Sequence, residues 1–176
     1  MRNLNIPIFI LPVIALTVVV IMFKKVINSV TNKLLFRRFT IKVLIIGIAL
    51  NAAWELIQLP LYQNASYTLN HIAICSLASL ADVIMMMLLY FGFALIYNEP
   101  YWHRQFSFQR LWILIVVGGI GGILGELRNI NKGNWAYENS MPIIPGINVG
   151  LYPVIQFMFL PALCYYLSLL FEKKVL

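Results

Sequence analysis

Acidic residues are scarce in this chain. Only six Asp and Glu occur among 176 residues, and charged residues of both signs make up 11%, too little to clothe the surface of a water-soluble domain. Cysteine is equally thin. Cys75 and Cys164 are the two present, and without CxxC spacing they indicate neither a disulfide framework nor a thiol redox centre. The two histidines, His71 and His103, stand in different polar segments and belong to no His-x-x-His or Glu-x-x-His pair, so no metal site is expected. No other cofactor is expected either. Heptads, a repeat of fixed period and low-complexity tracts are missing. No small-residue cleavage site precedes Lys24-Lys25, so the first apolar run reads as a mature span rather than a signal peptide.

What is present in quantity is apolar: 61% of the residues are hydrophobic. That composition predicts an all-α fold, a polytopic membrane bundle in which residues 1–176 form a single membrane domain. At roughly 20 residues per span, the apolar runs place five transmembrane helices at about residues 6–23, 41–62, 72–97, 111–127 and 150–171. The net charge of +7 suggests no nucleic acid, because the basic residues sit in short segments between the spans and act as topology signals. Ten of the 13 Lys and Arg fall in segments 24–42, 98–110 and the C-terminal tail. These segments should face the cytoplasm. The N-terminus is then outside and the C-terminus cytoplasmic, with Arg2, Arg128 and Lys132 on the outer side. Residues 128–149, rich in turn formers, are expected to fold as an extracytoplasmic cap, since irregular backbone cannot face lipid.

The second span carries an unusual stretch, "NAAWELIQLPLY". Asn51, Trp54, Glu55 and Gln58 recur at i, i+3, i+4 and i+7, one polar stripe on a helix. A carboxylate within a span costs several kcal/mol unless protonated, paired or hydrated, which makes it a functional candidate. The bland alternative is a cross-helix hydrogen bond that holds the bundle together. Asp82 on the third span shares a face with Cys75, Ser79 and Met86, and its depth is similar. Glu126, at the outer end of the fourth span, is the third acid, and an interfacial ion pair with Arg128 is its alternative role. The cap adds Trp135, Tyr137 and Glu138, read either as a roof over the acids or as interfacial anchors. Gln156 lies just inside the fifth span, where Pro153 and Pro161 can open space. Gly118/Gly122 and Gly121/Gly125 have the small-xxx-small spacing of close helix packing, which includes packing between copies of the chain.

Two acids in unlike surroundings can divide the roles of proton donor and acceptor, and an indole such as Trp54 can stabilise a developing cation. Those are the requirements for protonating a carbon–carbon double bond or an epoxide and then removing a different proton. The expected substrate is a lipophilic small molecule entering from the membrane lipid.

"NAAWE" resembles the Asn-x-Ala-Trp-Glu pattern of the membrane-bound terpene cyclases. The acids on successive spans are similar to the acidic pair of the emopamil-binding-protein and sterol-isomerase group. "WAY" followed by "PGINVGLYPVIQ" resembles the Trp-x-Tyr, Gly and Pro pattern of the lycopene cyclase domain, although Val154, Ile155 and Gln156 stand here where that pattern has acids. The resemblance implies a four-helix catalytic bundle plus one N-terminal helix, with Glu55 and Asp82 as acid and base. The residues themselves add Glu126 as a further catalytic candidate, and Asn51, Trp54, Gln58, Trp135, Tyr137, Glu138 and Gln156 as candidates for binding the substrate. The function expected on these grounds is a metal-free cyclase or isomerase of an isoprenoid or sterol-like substrate. A non-catalytic lipophile-binding or transport protein and a structural membrane subunit are the alternatives.

Overall fold

The computed structural model describes residues 7–105 and 107–173, with side chains from Leu11 to Leu170. Arg2, the start of the first expected span at Ile6, and Lys174 lie outside the described residues. Five helices carry the fold: α1 (Pro7–Asn28), α2 (Lys33–Gln58), α3 (Leu69–Ile96), α4 (Phe108–Asn131) and α5 (Leu151–Lys173). All five are long and apolar enough to cross a membrane. Their outward faces leave Ile21, Ile45, Ile57, Ile120 and Leu124 exposed.

The helices run past the bounds that hydropathy suggests. α1 continues through Lys24 and Lys25 to Asn28, α2 starts at Lys33 rather than near Ile41, and α4 continues through Arg128 to Asn131. Hydropathy marks where a helix stops being greasy, whereas its ends are set by where backbone groups find other partners. Asn32 accepts from the Leu35 amide at 3.0 Å, Thr68 from His71 at 3.4 Å, and Ser107 from Arg110 at 3.2 Å. These are N-caps. The connection after α4 therefore begins at Lys132, and the expected cap loses its first four residues to the helix.

Principal helix neighbours run in the order α1, α3, α2, α5, α4. The N-terminal helix is not merely appended, because Val19, Val26 and Ile27 join the common core. The glycines of α4 explain its position. A Cβ on Gly118 would lie 2.0 Å from the Phe157 carbonyl oxygen of α5, and one on Gly122 would lie 3.3 Å from the Val154 Cα. The Gly118/Gly122 face is thus packed against α5 within the chain. Gly121 and Gly125 have nothing within 4 Å of a Cβ.

The two ends of the molecule differ. At the end carrying Lys33, Arg37, Arg38 and Arg110, the segment between α3 and α4 inserts Trp102 and His103 among Phe39, Tyr90 and Tyr165, all buried. Trp102 Nε1 donates to the Tyr90 carbonyl at 3.1 Å, and Arg110 pairs with Glu99 at 2.9 Å. His103 stacks on Phe39 with ring centroids 4.3 Å apart. Burial, and then the Arg104 charge, pushes its imidazole down to about 3. At the opposite end lie the C-terminus of α2, the N-termini of α3 and α5, the C-terminus of α4 and the cap. There Glu55, Asp82 and Glu126 converge.

Candidate functional site: three acids beneath an aromatic cap

The polar stripe of α2 faces α3 and α5. Asn51 is buried and donates from Nδ2 to the Gly47 carbonyl at 2.8 Å and to Met86 Sδ at 3.0 Å. Its Oδ1 accepts from Gln156 Nε2 at 2.9 Å, and the same nitrogen donates to Asp82 Oδ2 at 2.9 Å. Gln58 Nε2 in turn donates to Glu55 Oε1 at 2.7 Å and to Gln156 Oε1 at 3.4 Å. One continuous line of amides therefore joins Asp82 of α3 to Glu55 of α2 through α5.

The two carboxyl groups are close enough to influence one another. Glu126 lies within electrostatic reach of both. Helical spacing alone puts Asn51, Glu55 and Gln58 on one face. Only the α2–α3 and α2–α5 packing brings Asp82 and Gln156 to them.

Glu126 takes a different set of partners from the ion pair weighed for it. Its Oε2 accepts from Trp135 Nε1 at 3.1 Å and from the Tyr137 hydroxyl in a short hydrogen bond, and no salt bridge to Arg128 occurs among the described residues. Trp135 and Tyr137 thus turn inward. Tyr137 reaches the acid because Gly150 has no side chain: a Cβ there would meet the Tyr137 ring at 3.0 Å. Burial, and then neighbouring Glu126, pushes the Tyr137 phenol well above its ordinary value. Glu138 does not join them. Its side chain is exposed, and its contribution is a backbone bond from its amide to the Leu61 carbonyl at 2.9 Å.

That bond belongs to a strap. Tyr62 and Tyr137 form an antiparallel bridge, Gln63 donates to the Ala136 carbonyl at 2.9 Å, and a two-residue hairpin, β1 (Ile143–Ile144) with β2 (Val149–Gly150), leads into α5. The strap is pinned to the end of α2. Tyr62 is buried beneath it, with its ring 6.1 Å from Trp135 and 5.6 Å from Tyr137, and it lies in electrostatic reach of Glu126, Glu55 and Asp82. Sequence reasoning missed Tyr62. The signal was there, since it continues the spacing 51, 55, 58, 62, but Pro60 looks like the end of the stripe. In the structure a single turn of 3-10 helix, Leu59–Leu61, carries the chain past that proline.

Trp54 faces α5, with its ring 6.5 Å from that of Tyr152. Cys75 and Ser79 are buried between α2 and α3, where Ser79 Oγ donates to the Cys75 carbonyl at 2.8 Å, and neither side chain meets a base. Among the described residues no group of three or more His, Cys, Asp or Glu is arranged to hold a metal ion. In comparisons with known proteins, no family model, no curated protein and no solved structure matches this chain.

Proposed function

We propose that the protein is a five-span membrane enzyme that cyclises or isomerises an isoprenoid or sterol-like substrate by moving protons, with its N-terminus outside and its C-terminus cytoplasmic. Exposed Ile and Leu along helices long and apolar enough to cross a membrane support insertion in lipid, and the basic end supports the orientation. The observation that supports the chemistry is the line of amides, Gln58 and Gln156, that joins the Glu55 carboxyl of α2 to the Asp82 carboxyl of α3.

In this reading the carboxylic acid of Glu55 gives its proton to one carbon of a double bond. A C–H bond forms, the π pair is spent on it, and a carbocation is left on the substrate. Trp54 faces the developing charge. The Asp82 carboxylate then takes a proton from a different carbon, the electron pair of that C–H bond becomes the new π bond, and the substrate leaves as an isomer. Once the product has left, Asp82 gives its proton to solvent and Glu55 takes one up, which restores the starting pair. No oxidant or co-reactant enters the balance. Trp135, Tyr137 and Tyr62 close the outer side, where water would quench the cation.

The experiment is turnover of isoprenoid and sterol mixtures by the purified protein in deuterated buffer, with mass spectrometry of the products. Wild type should release isomers bearing one new C–D bond. Glu55→Gln, which keeps the shape and removes the acid proton, should lower the rate by about 10²- to 10⁴-fold. Wild-type turnover in that variant overturns the role of Glu55. A second reading, a non-catalytic lipophile binder, is favoured by how fully the Glu126 oxygen is occupied by Trp135 and Tyr137. It predicts bound lipid recovered chemically unchanged and free of deuterium.

A further inference from the structure

Two polar atoms beside the Glu55–Asp82 pair have nothing to bond. Trp54 Nε1 and Gln58 Oε1 are buried and without a hydrogen-bond partner among the described residues. The deficit is local and selective. Both donors of the Gln58 amide are used, on Glu55 and Gln156, and Gln58 keeps only 2% of its surface exposed. An orphaned group of this kind costs about 1–3 kcal/mol, so a fold that satisfies Asn51, Asp82 and Gln156 nearby and leaves these two bare has left them for something else.

The two orphans are complementary. An indole N–H can only donate and an amide oxygen can only accept. Residues 54 and 58 are one turn apart on α2, which sets their Cβ atoms about 5–6 Å apart on one face. A single hydroxyl group placed between them accepts from Trp54 and donates to Gln58, and so satisfies both. Other groups fall short: a carbonyl or ether oxygen leaves Gln58 bare, an ammonium leaves Trp54 bare, and a hydrocarbon leaves both. The surroundings are those of a greasy ligand, with the Tyr152 ring 6.5 Å from that of Trp54 and Leu56 and Ile57 on the exposed side of the same turn.

We infer that Trp54 and Gln58 form a binding site for the hydroxyl group of a lipophilic alcohol, seated next to the Glu55 and Asp82 carboxyls. This rests on reading the polar end as a lipophile site, and it narrows the substrate from hydrocarbons in general to alcohols. The hydroxyl anchors one end of the molecule, and the adjacent acids act on the carbon skeleton held beside it.

The test uses the full-length protein in lipid nanodiscs and two ligand sets, farnesol and cholesterol, each supplied as the alcohol, its methyl ether and the parent hydrocarbon. Affinities are measured by calorimetry, and the four tryptophans are followed by their indole N–H resonances, with that of Trp54 identified by its loss in Trp54→Phe. In at least one set the alcohol should bind about tenfold more tightly than the ether and more tightly still than the hydrocarbon, and it should shift the Trp54 resonance downfield. Trp54→Phe should cut the preference for alcohol over hydrocarbon about tenfold, and an unchanged far-ultraviolet circular dichroism spectrum shows that the variant is folded. Gln58→Met should bring alcohol and ether to equal affinity. Equal binding of alcohol, ether and hydrocarbon with an unmoved indole resonance overturns the hydroxyl site and leaves the lipophile reading standing, with water as the partner of both atoms. Failure of every ligand to bind overturns both.

Discussion

At the residue scale, the polar side chains of this protein fall into two groups separated by the length of the bundle. Glu55, Asp82 and Glu126 sit together at the cap end, whereas His103 is buried at the basic end. It is wholly buried, its Nδ1 lies 3.1 Å from the Tyr90 hydroxyl, and its Nε2 has no partner among the described residues. Burial holds its folded-state value near 3, below the ordinary 6.5. A depressed value means that the unfolded chain takes up the proton first. The stability His103 contributes is therefore present above about 6.5 and lost as pH falls from there toward 3. Unfolding measured in detergent across that window should show wild type losing more stability than His103→Phe, which cannot be protonated. Parallel losses in the two proteins would show that His103 is not what makes the basic end acid-sensitive.

At the element scale, α4 is held by the absence of side chains rather than by their presence. Gly118 sits against the α5 backbone so closely that Gly118→Ala forces the helices apart. Because Glu126 lies two turns further along the same face, that separation also pulls it from Trp135 and Tyr137. Gly118→Ala should lower the thermal midpoint markedly and expose Trp135 to quenchers. Gly125→Ala, whose Cβ meets nothing within 4 Å, should leave both unchanged within the ~1 kcal/mol that separates Gly from Ala in a helix. If the two variants behave alike, close α4–α5 packing is not what positions the acid. The tie between the cap and Leu61 through backbone bonds means that α2 and α4 meet through the strap more than through helix contact.

At the scale of the whole molecule, the charge asymmetry and the site asymmetry coincide: Glu55, Asp82 and Glu126 gather at the end away from Lys33, Arg37, Arg38 and Arg110. In the proposed orientation, with the basic end in the cytoplasm, the site lies at the outer leaflet. Cys75 and Cys164 are buried, so single introduced thiols report topology cleanly. In intact cells a membrane-impermeant maleimide should label Ser66→Cys, whereas Gln105→Cys should react only after permeabilisation. The opposite result reverses the orientation and moves the site to the cytoplasmic leaflet.

Composition alone determined that this chain is helical with five lipid-length helices, because 61% hydrophobic residues arranged in uninterrupted runs leave backbone hydrogen bonds no other economical solution. The 3.6-residue period likewise determined that Asn51, Glu55 and Gln58 share a face. Helix ends were less legible, since a basic or polar flank such as residues 33–40 continues a helix as readily as it ends one. What only tertiary structure decided is which faces meet. Residues 55, 82 and 156 lie on three helices, and no local pattern relates their rotations. Their convergence came from packing α3 and α5 on either side of α2. Glu126 found Trp135 and Tyr137 instead of Arg128 for the same reason: the strap bonded to Leu61 and Gln63 carries the aromatic rings over the acid, and a contact made through a folded-back loop leaves no spacing in the sequence to read.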